Sequence, residues 1–388
     1  MNKKEVKKAP ALRFKGFTND WEQRKLGDLF VYNRPDKYMV QDTNYIDSGT
    51  PVLTANKSFV LGYTNENHTY NKLPAIIFDD FTLENKFVKF PFMVKSSAIK
   101  ILNSRNDQPM MFMYQLLQHS RFVHEGHSRH YISIVQRKDV MVPDNVEEQK
   151  KIATLFSRIQ NIITLQQRKL ALLKQLKKGL LQKMFADKDS KQPVLRFKGF
   201  HDDWEQHKLG EIITYYNGKS HEEQFRNAET QNFELVTLKS IDGNGNLCSS
   251  EKYIDSTNNT LSKNDLIMVL SEQNTGLVGM TTLIPRDNYY VLNQRVALLK
   301  LHKNNSPFFL TDAINQHQIF FERMSAGTKV QNISKSNVEN FNLYIPNYSE
   351  QKEVGHIIAL CQNIITLQQQ KLAKYQSIKK SLLQQMFI

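Results

Sequence analysis

Apolar residues recur at mostly three- and four-residue steps at Ile152, Leu155, Phe156, Ile159, Ile162, Ile163, Leu170, Leu173, Leu176, Leu180 and Met184. A second stripe runs through Val354, Ile357, Ile358, Cys361, Ile364, Ile365, Leu372, Tyr375, Ile378 and Leu382. Such spacing puts the apolar positions on one face of a helix. Neither stretch contains a proline. Each follows one, Pro143 or Pro346, with Glu-Gln-Lys soon after, which places negative charge in the first helical turn. At 1.5 Å per residue each helix could reach about 57 Å. Both seams need a partner, and the expected one is the other helix, packed antiparallel about a pseudo-twofold axis. Gln166 and Gln368 interrupt the stripe at equivalent positions, a polar contact or a register lock.

The chain is written twice. LRFKGFTNDWEQRKLG at Leu12 to Gly27 recurs as LRFKGFHDDWEQHKLG at Leu195 to Gly210, with 13 of 16 positions identical. Glu148 to Phe185 matches Glu350 to Phe387 at 21 of 38 positions, including NIITLQQ at Asn161 and again at Asn363. The order is therefore box, insert, helix, repeated once. The inserts, roughly residues 28–142 and 211–344, share only short echoes, such as Gly126 to Ser133 against Gly327 to Ser334.

Within the inserts, β-branched and aromatic runs predict strands at Ala75 to Phe78, Phe87 to Val94 and Ala98 to Leu102 in the first. In the second they fall at Phe233 to Leu238, Asp265 to Leu270 and Tyr290 to Leu301. Short helices follow late in each, at Met110 to Gln118 and Pro307 to Arg323. The expected class is α/β (α+β): two globular inserts separated by two long antiparallel helices in a pseudo-twofold internal repeat. The expected divisions are 1–143, 144–190, 191–346 and 347–388.

A length of 388 residues with 40% apolar content fits two or three globular domains. The N-terminal residues are charged and no apolar run approaches a membrane span, so a cytoplasmic protein with no membrane partner is expected. Two cysteines, Cys248 and Cys361, make neither a disulfide framework nor a zinc spacing. The net charge of +14 suggests a polyanionic partner, nucleic acid before membrane. Yet residues 28–143 carry only +2 and residues 211–346 carry −2, whereas 144–192 carry +6. Bulk charge therefore does not single out the inserts.

Catalytic motifs fail at residues their mechanisms need. Gly218-Lys219-Ser220 resembles the end of a P-loop, but Ile213 stands where its first glycine belongs. His221-Glu222 lacks the second histidine of a zinc-protease helix, since Phe225 occupies that position. Asp242 to Asn246 begins like a calcium loop but meets Leu247 and Tyr253 at the required glycine and carboxylate. It fails as a dinucleotide turn too, at Cys248. A surface turn is the reading that remains. Asp80 with Glu84-Asn85-Lys86 resembles a nuclease carboxylate pair with a lysine, at very short acidic spacing and with nothing similar in the other half. His124, His127 and His130 could ligate a metal or be solvated loop histidines.

The boxes with Trp21 and Trp204, the Pro then Glu-Gln-Lys starts and the duplicated helices resemble the specificity subunits of type I restriction-modification systems. IIFDDFT at Ile76 to Thr82 and YYVLNQR at Tyr289 to Arg295 add to the likeness, which covers nearly the whole chain. The resemblance implies that each insert is a target-recognition domain reading one half of a split, asymmetric site in double-stranded DNA, with the helices fixing the gap. It implies two methyltransferase subunits and endonuclease/translocase subunits as partners. It implies no catalytic centre and no cofactor in this chain, with S-adenosylmethionine, ATP and magnesium bound by those partners. Two unlike domains on a matched pair of helices suit two unlike half-sites at a fixed spacing.

Base reading calls for paired donors and acceptors, and phosphate contacts for Lys, Arg, Ser, Thr and loop amides. The best candidates lie in the polar loops that echo one another: Ser128, Arg129, His130 and Tyr131 in one half, Thr328, Lys329, Gln331 and Asn332 in the other. Arg34, Lys57 and Arg105, with Lys219, Gln273, Asn274 and Arg295, form a second set, and Arg295 could instead be an ion-pair partner in a strand. Trp21 and Trp204 read as packing anchors, because they belong to the box rather than to the inserts. Two rivals stand beside this reading: a coiled-coil adaptor that touches only proteins, and a stand-alone DNA nuclease built on Asp80 and Glu84.

Overall fold

The computed structural model describes residues 8–56, 58–123, 129–186, 190–272, 276–327 and 330–388. Two long helices, Val146–Met184 and Tyr348–Met386, dominate the secondary structure. Each begins immediately after an asparagine that caps it. Asn145 Oδ1 accepts the Glu147 amide at 2.9 Å, and Asn347 Oδ1 accepts the Glu350 amide at 3.0 Å, which satisfies donors the first turn leaves open.

The chain divides into two compact units, residues 1–168 with 369–388, and residues 169–368. Both divisions fall inside the long helices, so each unit takes one half of each helix. In the first unit the two halves run antiparallel: Phe156 meets Phe387, and Lys379 Nζ reaches Gln160 Oε1 at 2.9 Å. In the second, Lys177 Nζ reaches Gln362 Oε1 at 3.0 Å, while Val354 and Ile357 share a core with Leu180 and Met184. Gln368 is buried and Gln166 half-buried.

In each unit the repeated box joins the start of one helix to the end of the other. Its strand pairs antiparallel with the strand just before the helix: Glu22–Lys25 with Asp139–Val142, and Glu205–Lys208 with Asn342–Ile345. Arg13 makes a two-pronged bond to the fully buried Glu148 carboxylate, at 2.6 and 2.8 Å. Arg196 does the same to Glu350, at 2.7 and 2.8 Å. Trp21, 2% exposed, sits edge-on to Phe112 and Phe387. Trp204 sits likewise against Phe185 and Phe309. The tryptophans are packing anchors, each buried within the core of its unit.

The inserts share a topology that their sequences hide. The first holds an antiparallel sheet in the order Phe30–Asn33, Ile99–Ser104, Ala75–Asp79, Asn85–Val88. The second holds Ile213–Asn217, Val296–Leu301, Leu266–Val269, Thr281–Leu283 in the same order. The central strands Ala75–Asp79 and Leu266–Val269 are buried along their whole length, which is why Ala75 to Phe78 and Leu266 to Val269 read as unbroken apolar runs. A three-stranded sheet accompanies each. Val60–Thr64, Thr50–Leu53 and Met93–Val94 form the first, Tyr253–Ile254, Phe233–Val236 and Tyr290–Leu292 the second, with the last pairing parallel in both. The run expected from Tyr290 to Leu301 is two strands broken at a turn. Arg295 lies in that turn, exposed, with φ +68°, so it is not the strand residue an ion-pair role would need.

Candidate nucleic-acid interface

In each unit a polar segment returns from the insert toward the frame and crosses the end of the buried central strand. In the first it follows Arg129. The His130 amide donates to the Asp80 carbonyl at 3.0 Å, and the Tyr131 amide donates to Asp80 Oδ1 at 2.7 Å. Tyr131–Val135 then forms one wide turn, in which the Gln136 amide donates to the Tyr131 carbonyl at 2.9 Å. In the second unit Gln331–Asn332 pairs antiparallel with Ser271–Glu272, and the Ile333 amide donates to the Leu270 carbonyl at 3.0 Å. Asp80 and Leu270 thus play the same part, and so do His130 and Ile333.

This geometry corrects the register expected from the echo of Ile132-Ser133 and Ile333-Ser334. Ile132 is 61% exposed whereas Ile333 is 6% exposed. The frame amides agree: Leu26 donates to Lys138, and Leu209 to Phe341. Structurally, Arg129 corresponds to Asn332, two positions away from the sequence alignment. The chain from the central strand to the segment, Asp80 to His130 in one unit and Leu270 to Ile333 in the other, differs in length, and a two-residue match cannot detect that.

His130 and Tyr131, expected as DNA contacts, are 0% and 1% exposed. The Tyr131 ring packs 5.5 Å from Tyr32 and 5.6 Å from Phe78, and burial pushes its phenol above the usual range. A side chain with no exposed surface offers a duplex nothing, so both belong to the packed side of the segment. Its exposed side carries Arg129, Ile132 and Ser133, with Arg137 and Lys138 beyond the turn. The Arg129 guanidinium reaches Ser97 Oγ at 3.5 Å. Ile132 went unnoticed in the sequence because an isoleucine in a polar loop reads as core.

In the second unit Asn332 is exposed, with its amide bonded to Ser271 Oγ and to the Val330 carbonyl. Gln331 is half-buried and donates to the Gly327 carbonyl at 3.0 Å. Arg34 and Lys219 are exposed, and Arg105 reaches the Phe30 carbonyl at 3.4 Å. Ser128, Thr328, Lys329, Lys57, Gln273 and Asn274 lie outside the described residues.

The catalytic look-alikes are accounted for by packing. Asp80 is 2% exposed and lies 3.2 Å from Lys100 Nζ, while Glu84 is exposed, so the two do not form a solvent-facing pair. His124 and His127 lie outside the described residues, and His130 is buried. Among the described residues no group of three or more His, Cys, Asp or Glu could hold a metal. Gly218 sits where a Cβ would stand 1.9 Å from the Asn293 carbonyl oxygen, so the glycine serves a close backbone crossing. Asp242 closes a turn on the amides of Asn244 and Asn246 at 2.8 and 2.9 Å. Burial alone would raise its carboxyl, but hydrogen bonds from Asn246 and Asn244 hold it below the usual range. No helix among the described residues is long and apolar enough to cross a membrane.

Known proteins bear on this arrangement directly. The family described as type I restriction modification DNA specificity domain matches twice, over residues 18–175 and 201–376. The EcoR124I/EcoR124II specificity subunit of Escherichia coli is 29% identical over 351 residues, covering 86% of this chain and 84% of that protein. The MjaVIII specificity subunit of Methanocaldococcus jannaschii is 22% identical over 397 residues, covering 94% and 91%. The crystal structure of the type I restriction-modification S subunit from M. genitalium superposes with a TM-score of 0.74 over 98% of this chain and 99% of that one, at 16% identity. With both units matched and the frame and sheets repeated as described, the chain belongs to the type I restriction-modification DNA specificity family.

Proposed function

We propose that the chain reads a bipartite, asymmetric DNA site, one half per unit, and carries no catalytic centre of its own. The observation that supports this most is the pairing of a repeated frame and a shared sheet order with different exposed side chains at matching places. Arg129 stands where the second unit has Asn332. An Arg suits guanine or phosphate, an Asn suits adenine, and two unlike readers give an asymmetric site. The helices, continuous from one unit into the other, are the link that sets the gap between half-sites.

Methyltransferase subunits, bringing S-adenosylmethionine, would dock twice on the repeated parts. Ile162 and Leu165 on one helix are exposed, at 36% and 59%, and so are their counterparts Ile364 and Leu367 on the other, at 39% and 64%. Apolar side chains left in solvent at matched positions suit one partner surface presented twice. Endonuclease/translocase subunits using ATP and magnesium would join that core. An adaptor that only touches proteins would use the same helices but has no need of two differently surfaced inserts.

The test is exchange of residues 28–142 for another such insert in the complex with methyltransferase subunits, followed by mapping of methylated positions. One half-site should change and the other persist. Change in both halves, or methylation without a two-part preference, would refute the reading.

A further inference from the structure

Beneath the exposed segment of the first unit lies a buried ion pair. The side chains of Asp80 and Lys100 are 3% and 5% exposed, with 3.2 Å between Oδ2 and Nζ. Their other bonding groups are committed to the same segment or its support. Asp80 Oδ1 accepts the Tyr131 amide at 2.7 Å, and the Asp80 carbonyl accepts the His130 amide at 3.0 Å, with His130 Nδ1 also at 3.0 Å. Lys100 Nζ donates to the Ser97 carbonyl at 3.0 Å, and Ser97 Oγ receives Arg129. The same ammonium sits 5.6 Å from the centre of the Tyr32 ring, against which Tyr131 packs. The bonds to His130, Tyr131 and Arg129 all fall within two residues of Ile132 or on Arg129 itself.

A buried pair is a poor source of stability, because desolvating two charges consumes most of what their attraction returns. What such a pair fixes is position. The second unit shows that the fold has no need of it. Asp79 faces Ile99 and Phe78 faces Lys100 in one sheet, as Val269 faces Val296 and Met268 faces Ala297 in the other. The counterparts of Asp80 and Lys100 are therefore Leu270 and Ala297, both apolar and buried. The same crossing closes there with Leu270 and Ala297 in place of the charged pair, and with Ser271 Oγ bonded to Asn332.

We infer that Asp80 and Lys100 form a positioning clamp that sets where Arg129 and Ile132 stand, and hence which bases the first unit accepts. Neither residue touches DNA in this scheme. The inference rests on the DNA-specificity reading above, and it makes the second unit an internal control, since nothing there depends on the pair.

The experiment uses the complex with methyltransferase subunits and measures methylation on the cognate site and on single-base variants of each half. The first half-site is the one that changes on exchange of residues 28–142. The double variant Asp80→Asn with Lys100→Met should lose at least about tenfold of its discrimination at the first half, a bidentate base contact being worth that much, while the second half stays within about twofold. Lys100→Arg, which keeps the charge, should restore most of the discrimination. Unchanged first-half discrimination in the folded double variant, or equal loss in both halves, overturns the clamp. Should thermal melting show the double variant unfolded, Asp80→Glu takes its place. It keeps the charge but shifts the carboxylate by one methylene, and it must show the same one-sided relaxation or the clamp falls. A wild-type complex without two-part preference would remove the functional reading itself, and the clamp's role with it. A discriminating wild type beside an equally discriminating variant removes the clamp alone.

Discussion

Lys379 Nζ donates to Gln160 Oε1 at 2.9 Å in the first unit, and the second unit repeats the contact with helices exchanged, Lys177 to Gln362 at 3.0 Å. A half-buried lysine at each helix seam is a polar register mark within an apolar stripe, at some cost in stability.

That cost is measurable through pH. Burial pushes the Lys379 ammonium below the ordinary lysine range, so the folded chain holds this proton less tightly than the unfolded chain. Stability due to this residue therefore rises with pH in the window just below about 10.4, and its penalty is full at neutral pH. Lys379→Met should raise the denaturation midpoint at pH 7 and flatten the alkaline rise, as denaturant titrations at pH 7 and 9.5 would show. A lower midpoint at pH 7 would mean that the bond to Gln160 outweighs desolvation.

Glu148 is fully buried, and Arg13 supplies both bonds to its carboxylate. Removing the arginine strands a buried charge, so Arg13→Ala should cost about 3–5 kcal/mol, and Arg13→Lys only part of it. Arg196→Ala should behave likewise through Glu350. Chemical denaturation of the three variants compares them.

Among the described residues the buried Trp21 indole nitrogen has no acceptor, so the ring supplies the packing and its N–H only a desolvation cost. Trp21→Ala should cost about 3–5 kcal/mol, and Trp21→Phe much less, because the edge contacts to Phe112 and Phe387 can persist. Equal losses in thermal melts would count against this division.

Arg129 is exposed, and its removal should leave the melting temperature unchanged. Arg129→Ala should weaken discrimination at one half-site by about 1–3 kcal/mol if the guanidinium reads a base. If it touches only phosphate, affinity falls evenly across sequences and the salt slope drops by about one. Binding titrations of the complex at several salt concentrations separate the two.

Gly218 needs no phosphate to explain it. A methyl group there would meet the Asn293 carbonyl oxygen at 1.9 Å, and backbone cannot swing aside as a side-chain tip can. Gly218→Ala should destabilise the second unit by about 1–3 kcal/mol, observed as a lower denaturation midpoint.

The helices, the boxes and the central strands were legible because each depends on local pattern: a 3.6-residue period, a near-verbatim repeat, an unbroken apolar run such as Ala75 to Phe78. The three-stranded sheets were harder to see. Their strands are short, those of the first sheet carry the strand-disfavouring Pro51 and Gly62, and Met93–Val94 pairs parallel with a strand some forty residues earlier. The candidate segment was found, and of its candidates Arg129 and Asn332 are exposed while His130 and Tyr131 turn inward. His130 and Tyr131 are residue types that serve a surface or a core equally well, and only Asp80, some fifty residues away, decides that they turn inward. The asparagine caps at 145 and 347 escaped notice beside the more obvious prolines.

Because each long helix starts in one unit and finishes in the other, the two bodies differ in when they can be completed on the ribosome. Residues 169–368 are continuous and can close as soon as they emerge. The unit whose synthesis begins first draws Met386 and Phe387 into its centre, and so must wait with an open core for the residues from 369 to 388. Growth from one end thus finishes the earlier body last.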